Sequence, residues 1–396
     1  MTDDGAFLNA SEAAALLGVS KNTLYVYVGR KGLRSQAVPG SRERQYWKAD
    51  ILRLKHGERT AGRSPGELKR ESALTLITDQ GPYYRGQSAL ELSETKSLEE
   101  VAGLLWDCPA DQVFKGEAPR TPAAFSQWTR LLEKERSVDR ALGLFPQLEQ
   151  ADLRAHDLSH LGMSRTGADV VRWMTAIILR QAKAPCRSIH DHIAQSLKLD
   201  EGKASLVRRQ LVLAADHGFE PAAYAVRAVA STGVSPWRAV MTGLLVVLGR
   251  RSGNGRFESM RTFLLELHQG DPQRSLVRRL RDGEPVPGFG SRLYPQGDPR
   301  AKALLAHCVE IFGDDPRLQQ VIAAQAIMLD ATGLHPDFAF VSLLVGELLG
   351  LSADASFFLI GRTVGWVAHA MEQYAAGEFE HLEGRYLGPL PTSKST

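Results

Sequence analysis

At 396 residues, 43% hydrophobic and 23% charged, the chain reads as a soluble globular protein with room for one large domain and a small one. No apolar run approaches the roughly 18 residues of a membrane span, and the acidic start Met-Thr-Asp-Asp lacks the basic lead-in of a signal peptide, so a cytoplasmic location and no membrane partner are expected. Net charge is only +3, but residues 1–70 hold 13 Lys+Arg against 7 Asp+Glu while the remainder holds 35 against 38, which directs the N-terminal segment towards an anionic partner.

The first 56 residues read as a compact helical unit. Ser11 is the expected N-cap of a first helix whose apolar face is Ala13, Ala14, Leu16 and Leu17, and Gly18 ends it. Ser20 caps a second helix over 21–30, with Leu24, Val26 and Val28 turned partly inward, and Gly32 stops it. Leu33 to Tyr46, with Pro39, Gly40, Arg42 and Arg44, suits a short β-hairpin, and a third short helix is expected over 50–54. The run Ser-Glu-Ala-Ala-x-Leu-Leu-Gly-Val-Ser-x-x-Thr-Leu-Tyr, followed by a basic turn and Arg-x-Tyr, resembles the winged helix-turn-helix of MerR-type regulators and excisionases. That resemblance implies double-stranded DNA as a partner. Lys21, Asn22 and Thr23 would enter the major groove, Tyr25, Tyr27 and Arg30 would reach phosphate or sugar, and Arg42 and Arg44 on the wing would add phosphate contacts. One module is too small for tight specific binding, so a homodimer presenting two copies is expected. A docking module that has kept its core and lost its DNA is the alternative.

Residues 57–72 are rich in Gly, Arg, Ser and Pro and read as a linker, followed by one domain over 73–396. Ala73 to Thr78 is β-prone. Beyond it the pattern is all-α, with apolar residues at three- and four-residue spacing in 97–106, 123–135, 166–182, 205–216, 221–231, 236–249, 257–269, 300–312, 317–331, 337–350 and 355–376. The three cysteines, Cys108, Cys186 and Cys308, show no metal-ligand spacing, so buried thiols in a reducing compartment and no metal are expected.

Five stretches carry a second resemblance. They are Tyr84-Arg85-Gly86 with Glu99-Glu100-Val101-Ala102; Ala215-Asp216-His217-Gly218 with Arg227-x-x-Ala230-Ser231-Thr232; and Gly249-Arg250-Arg251-Ser252-Gly253-Asn254-Gly255-Arg256. The last two are Gly288-Phe289-Gly290-Ser291 leading to Asp298-Pro299-Arg300-Ala301, and Pro336-Asp337-Phe338 with Gly361-Arg362-Thr363-Val364-Gly365-Trp366-Val367-Ala368-His369. Together they resemble citrate and 2-methylcitrate synthases. The resemblance implies a helical domain with a small subdomain, roughly 225–330, inserted in a large one, a homodimer, no permanently bound cofactor, and acyl-CoA as substrate or ligand. It implies that His217, Arg300 and Arg362 bind the carboxylates of the partner substrate and that Asp337 is the catalytic base. Taken alone, Asp337 also suits a helix N-cap.

Several positions depart from the family pattern. Ser252 and Ser291 stand where the family has catalytic histidines, Arg256 stands at an asparagine position, and His381 falls where an arginine is contributed across the dimer. Condensing an acyl-CoA with oxaloacetate needs proton donors available near neutral pH, which imidazole provides and serine does not. Losing one positioned acid costs about 10²–10⁴ in rate, while arginines bind carboxylates without any chemistry. These departures favour a carboxylate- or acyl-CoA-sensing DNA-binding regulator. The alternatives are an active acyl-CoA:oxaloacetate C-acyltransferase, with water, Arg250, Arg251 or Arg256 supplying the missing electrophilic stabilisation, and a regulatory subunit that pairs with a true citrate synthase.

Overall fold

The computed structural model describes residues 7–31, 33, 35–38, 41, 43–48, 51, 71–115, 117–251, 254–351 and 355–377. The chain divides into an N-terminal unit ending at Glu71 and a larger unit over Ser72–Glu380.

In the N-terminal unit, strand β1 (Phe7–Asn9) leads into α1 (Ala10–Leu17) and α2 (Lys21–Lys31), followed by β2 (Ser35–Ala37) and β3 (Arg44–Trp47). The hairpin β2–β3 is antiparallel and β1 adds to its other edge, giving the order β1-β3-β2. Gly18 terminates α1 with φ +68°, where a side chain would be strained. Ser20 caps α2 by accepting the Thr23 N–H at 3.1 Å. The first cap is not Ser11. Asn9 Oδ1 accepts the amides of Ser11 and Glu12, and Glu12 returns to the Asn9 N–H, a reciprocal capping box that places Ser11 inside the helix. Val26 also differs from expectation, being 48% exposed. Leu24 and Val28 share a face at i, i+4, whereas Val26 lies two residues, about 200° around the helix, from Leu24. Leu24 joins Ala13, Ala14, Leu33, Tyr46 and Ile51 in a small core. Gly32, and most of the third helix expected over 50–54, lie outside the described residues.

The larger unit opens with an antiparallel meander, β4 (Thr75–Thr78), β5 (Gly81–Tyr84) and β6 (Gln87–Ser88), so it is helical but not purely so. Its helices begin with α3 (Ala89–Thr95), α4 (Leu98–Trp106), α5 (Ala110–Phe114), α6 (Phe125–Leu131), α7 (Ser137–Ala151), α8 (His160–Ile178), α9 (Ile189–Leu197) and α10 (Glu201–Ala214). They continue with α11 (Pro221–Ala230), α12 (Pro236–Val247), α13 (Asn254–Gln269), α14 (Pro272–Arg281), α15 (Pro299–Phe312), α16 (Pro316–Thr332), α17 (Phe338–Leu348) and α18 (Phe357–Ala376). Periodicity missed α3, α5, α7, α9 and α14. Helix α7 carries Gly143 and Pro146 in its interior, and the arginine-rich α14 buries only Pro272 and Leu276. No helix among the described residues is long and apolar enough to cross a membrane.

Helix α18 is the axis of this unit. It is buried over most of its length and packs against α4, α8, α10, α11 and α12. Close approach is possible because small residues meet it or lie on it. A Cβ on Gly361 would come 2.5 Å from the Leu211 carbonyl oxygen, and one on Gly365 would come 2.3 Å from that of Ala215. The reciprocal case is Gly243 of α12, which faces the indole of Trp366. Trp106 of α4 fastens the same helix by donating to the Val364 carbonyl at 2.9 Å. Gly365→Ala therefore drives a methyl into the Ala215 carbonyl and the buried Asp216 side chain, and should destabilise the protein by at least about 1–3 kcal/mol. Urea unfolding of the variant beside Gly202→Ala, an exposed helical glycine whose added Cβ would meet nothing closer than 3.5 Å, measures it; equal midpoints would refute the close-packing account.

Candidate functional site

Two arginines define the site. Arg300 follows Asp298 and Pro299 at the start of α15, where Asp298 caps the helix by accepting the Arg300 amide at 2.9 Å. The same carboxylate takes Arg300 Nε at 3.1 Å and Nη2 at 2.7 Å. Asp315-Pro316-Arg317 repeats this geometry on a more exposed helix start, so the pairing follows from the Asp-Pro-Arg sequence itself. What differs is burial: Arg300 is inside, with its guanidinium 4.4 Å above the Phe338 ring. Arg362, on α18 between the two close-packed glycines, lies 5.0 Å above Phe358 and reaches Glu220 Oε1 at 3.4 Å. The two supporting rings are 6.3 Å apart. Among the described residues, Arg300 Nη1 and Arg362 Nε are buried without a hydrogen-bond partner. Unmet donors on buried cations are costly, and an incoming anion would satisfy them.

His217 sits in the field of both arginines. Its Nε2 is 2.9 Å from the Tyr294 hydroxyl. Burial, then Arg300 and Arg362, push the imidazole down to about 2, so it is neutral at physiological pH and available as a hydrogen-bonding group. The preceding Asp216 has no exposure. It accepts the Thr75 hydroxyl and the Gly218 amide, the latter at 3.0 Å, and lies 3.2 Å from His369 Nε2. Burial opposes its charge, but His369, Arg362 and Thr75 outweigh that and hold the carboxyl well below the usual range. Burial raises the neighbouring Tyr84 phenol to about 12, and its hydroxyl donates to the Val212 carbonyl at 3.0 Å.

The loop before α15 is tied to the start of α17. Asp337 donates its amide to the Gly288 carbonyl at 2.7 Å, and Gly290 donates to the His335 carbonyl at 2.8 Å. Gly288, at φ +82°, presses on Phe340, leaving no room for a side chain. Ser291 Oγ accepts the Tyr294 amide at 3.2 Å and so caps the turn that presents Tyr294. Asp337 caps α17 through the Phe340 amide at 2.9 Å and accepts Arg256 at its other oxygen. Burial pushes the Asp337 carboxyl up, against the pull of Arg256.

His217, Arg300 and Arg362 are thus brought together, and Asp337 joins them through Phe338. Ser252 and His381 lie outside the described residues. Arg256, placed by sequence at an asparagine position, is the partner of Asp337. Tyr294, Glu220 and Asp298 were not singled out, although the repeated Asp-Pro-Arg carried a signal for the last. In the N-terminal unit, Lys21, Asn22 and Tyr25 are exposed and Tyr27 is half-buried against the core. Two residues expected to face DNA have internal partners instead: the Thr23 hydroxyl is 2.9 Å from Ser20 Oγ, and Arg44 donates to Ser35 Oγ at 3.0 Å and to its carbonyl at 3.2 Å. Arg42 and the side chain of Arg30 lie outside the described residues. No group of three His, Cys, Asp or Glu among the described residues could hold a metal ion.

Residues 66–382 match the family model described as citrate synthase, C-terminal domain. The chain belongs to the citrate synthase family. The citrate synthase of Haloferax volcanii is 30% identical over 366 residues, covering 82% of this chain and 96% of its own length. The 2-methylcitrate synthase of Mycobacterium tuberculosis H37Rv is 29% identical over 345 residues, covering 77% and 84%. Among solved structures, the citrate synthase of Pyrobaculum aerophilum superposes with a TM-score of 0.69 at 18% identity, covering 92% of this chain and 97% of its own. That of Thermoplasma acidophilum, a ternary complex with carboxymethyl coenzyme A and oxaloacetate, gives 0.69 at 15% identity, covering 84% and 98%. At these identities the structural likeness speaks for the citrate synthase fold.

Because the folded imidazole of His217 titrates below its unfolded value of about 6.5, the unfolded state takes up the proton first. Its contribution to stability is complete above that value and declines as pH falls towards about 2. Urea unfolding between pH 5 and 6.5 should show stability rising with pH, His217 contributing at most about 1.4 kcal/mol per pH unit. His217→Gln should flatten that slope; an unchanged slope would contradict a neutral, desolvated His217.

Proposed function

We propose that this citrate-synthase-family protein binds a small di- or tricarboxylate at His217, Arg300 and Arg362 and acts as a sensor, with condensation slow or absent. The observation that carries the reading is the asymmetry of the site. Two buried arginines offer unmet donors beside a neutral imidazole, while Ser291, at a proton-donor position, is built into the turn as a cap. Anchoring of carboxylates is retained where acid chemistry is not. Acyl-CoA is the second ligand, in keeping with the coenzyme A analogue and oxaloacetate held by the Thermoplasma acidophilum relative. The fold's division into a large subdomain and a small one over roughly 225–330, and a homodimer, belong to the same reading.

The N-terminal unit lies almost wholly outside the family match. Its two helices joined across Gly18–Ser20, its hairpin and the basic excess of residues 1–70 support a winged helix-turn-helix that takes double-stranded DNA, with exposed Lys21, Asn22 and Tyr25 as its contacts. The second reading is a working citrate or 2-methylcitrate synthase, favoured by Asp337 standing at the base position beside the arginine cluster.

Calorimetry with oxaloacetate, citrate and malate separates these, run together with free-CoA release from acetyl- and propionyl-CoA. At least one carboxylate should bind, and Arg362→Gln should weaken it roughly 10- to 100-fold, the worth of a charge-assisted hydrogen bond. Turnover above about 1 s⁻¹ would establish the synthase instead. For the N-terminal unit, selection of DNA sequences at low salt should return a specific site whose affinity changes with the carboxylate; no DNA retained under those conditions would rule the module out as a DNA binder.

A further inference from the structure

Asp337 is held more firmly than an available base should be. One oxygen accepts the Phe340 amide at 2.9 Å as the cap of α17, and the other accepts Arg256 Nη2. Its backbone is pinned as well, by its own amide to Gly288 and by the bridge between Phe289 and Pro336. The side chain of Asp337 is 8% exposed and that of Arg256 is 53% exposed. The two partners are therefore unequal. The carboxylate cannot leave, whereas the arginine, on the first turn of α13, can swing into water at little cost.

We propose that Arg256 is a latch on Asp337, a positioning residue that closes the base position and must swing away before the carboxylate can accept a proton from a ligand. The inference rests on the reading of Asp337 as the base of an acyl-CoA site. With the latch open, the C–H bond on the carbon beside a thioester carbonyl breaks and its proton moves to Asp337 Oδ2. The electron pair forms the enolate C=C, and the charge settles on the thioester oxygen. With the latch closed, Oδ2 is already the acceptor of a charge-assisted hydrogen bond, and its proton affinity is lowered. Facing this carboxyl are Arg256 from α13, Asp298 from the start of α15 and the amide end of α17, so Arg256 is the cation whose loss matters.

Two measurements on the full-length protein test this. In the first, the carboxyl of Asp337 is followed by carbon-13 NMR, assigned with Asp337→Asn. Arg256→Gln should raise its titration midpoint by at least about one pH unit, a tenfold gain in proton affinity, because the ionised form loses its counter-charge. Arg256→Lys should restore most of the wild-type value. In the second, exchange of the methyl protons of acetyl-CoA with heavy water should run about tenfold faster in Arg256→Gln than in the wild type. That gain should vanish in the Arg256→Gln, Asp337→Asn double variant. An unmoved midpoint in folded Arg256→Gln overturns the latch. So does exchange that stays at the wild-type rate, or faster exchange that survives loss of Asp337. Carboxylate binding is read separately through Arg362, so a failure of the sensor reading leaves the titration result intact.

Discussion

The end of α10 and the middle of α18 meet at backbone distance, with the Ala215 carbonyl and the Asp216 side chain filling the space that any side chain at position 365 would need. This contact brings Arg362 and His217 into one site, since each sits within a few residues of the point of closest approach. It also buries Asp216 beside His369, with Thr75 from the opening meander completing the shell. The cost of removing that charge from water is offset by a hydroxyl and an amide donating to one oxygen and by the His369 imidazole 3.2 Å from the other. The site therefore inherits its rigidity from packing, and the packing from glycines spaced one helical turn apart.

Electrostatics in the site are organised around cations set on aromatic rings. Arg300 lies over Phe338 and Arg362 over Phe358, and each pairs with one carboxylate of the chain while keeping a buried N–H unmet among the described residues. Burial and then their field keep His217 neutral, while His369 and Arg362 keep Asp216 ionised, so Arg362 acts on two neighbours in opposite senses. Burial acts on Asp337 in the other direction and is opposed by Arg256, which is the difference between a carboxylate held as a cap and one free to accept a proton.

Much of this was legible in the chain. The positions of His217, Arg300, Asp337 and Arg362 followed from ordered motifs, and most of the long helices from three- and four-residue spacing. The N-cap of α1 was misplaced by two residues, because Asn9 and Ser11 are equally good capping types and only the return of Glu12 distinguishes them. Helix α14 escaped notice because its apolar face is almost absent. The partners of the site residues were not legible either: nothing in the linear order says that Arg256 finds Asp337 or that Glu220 finds Arg362.

Local chemistry was the part that the sequence by itself determined. The Asp-Pro-Arg starts at 298 and 315 give the same capped pair with the same distances, because all of the interacting groups lie within three residues. Only the tertiary structure decided what those pairs are worth. It buried Arg300 against Phe338, within the field that acts on His217, and left Arg317 part-exposed at its helix start. The physical reason is that a charge takes its energy from its surroundings, and the surroundings of Arg300, His217 and Asp337 are assembled from segments far apart in the chain.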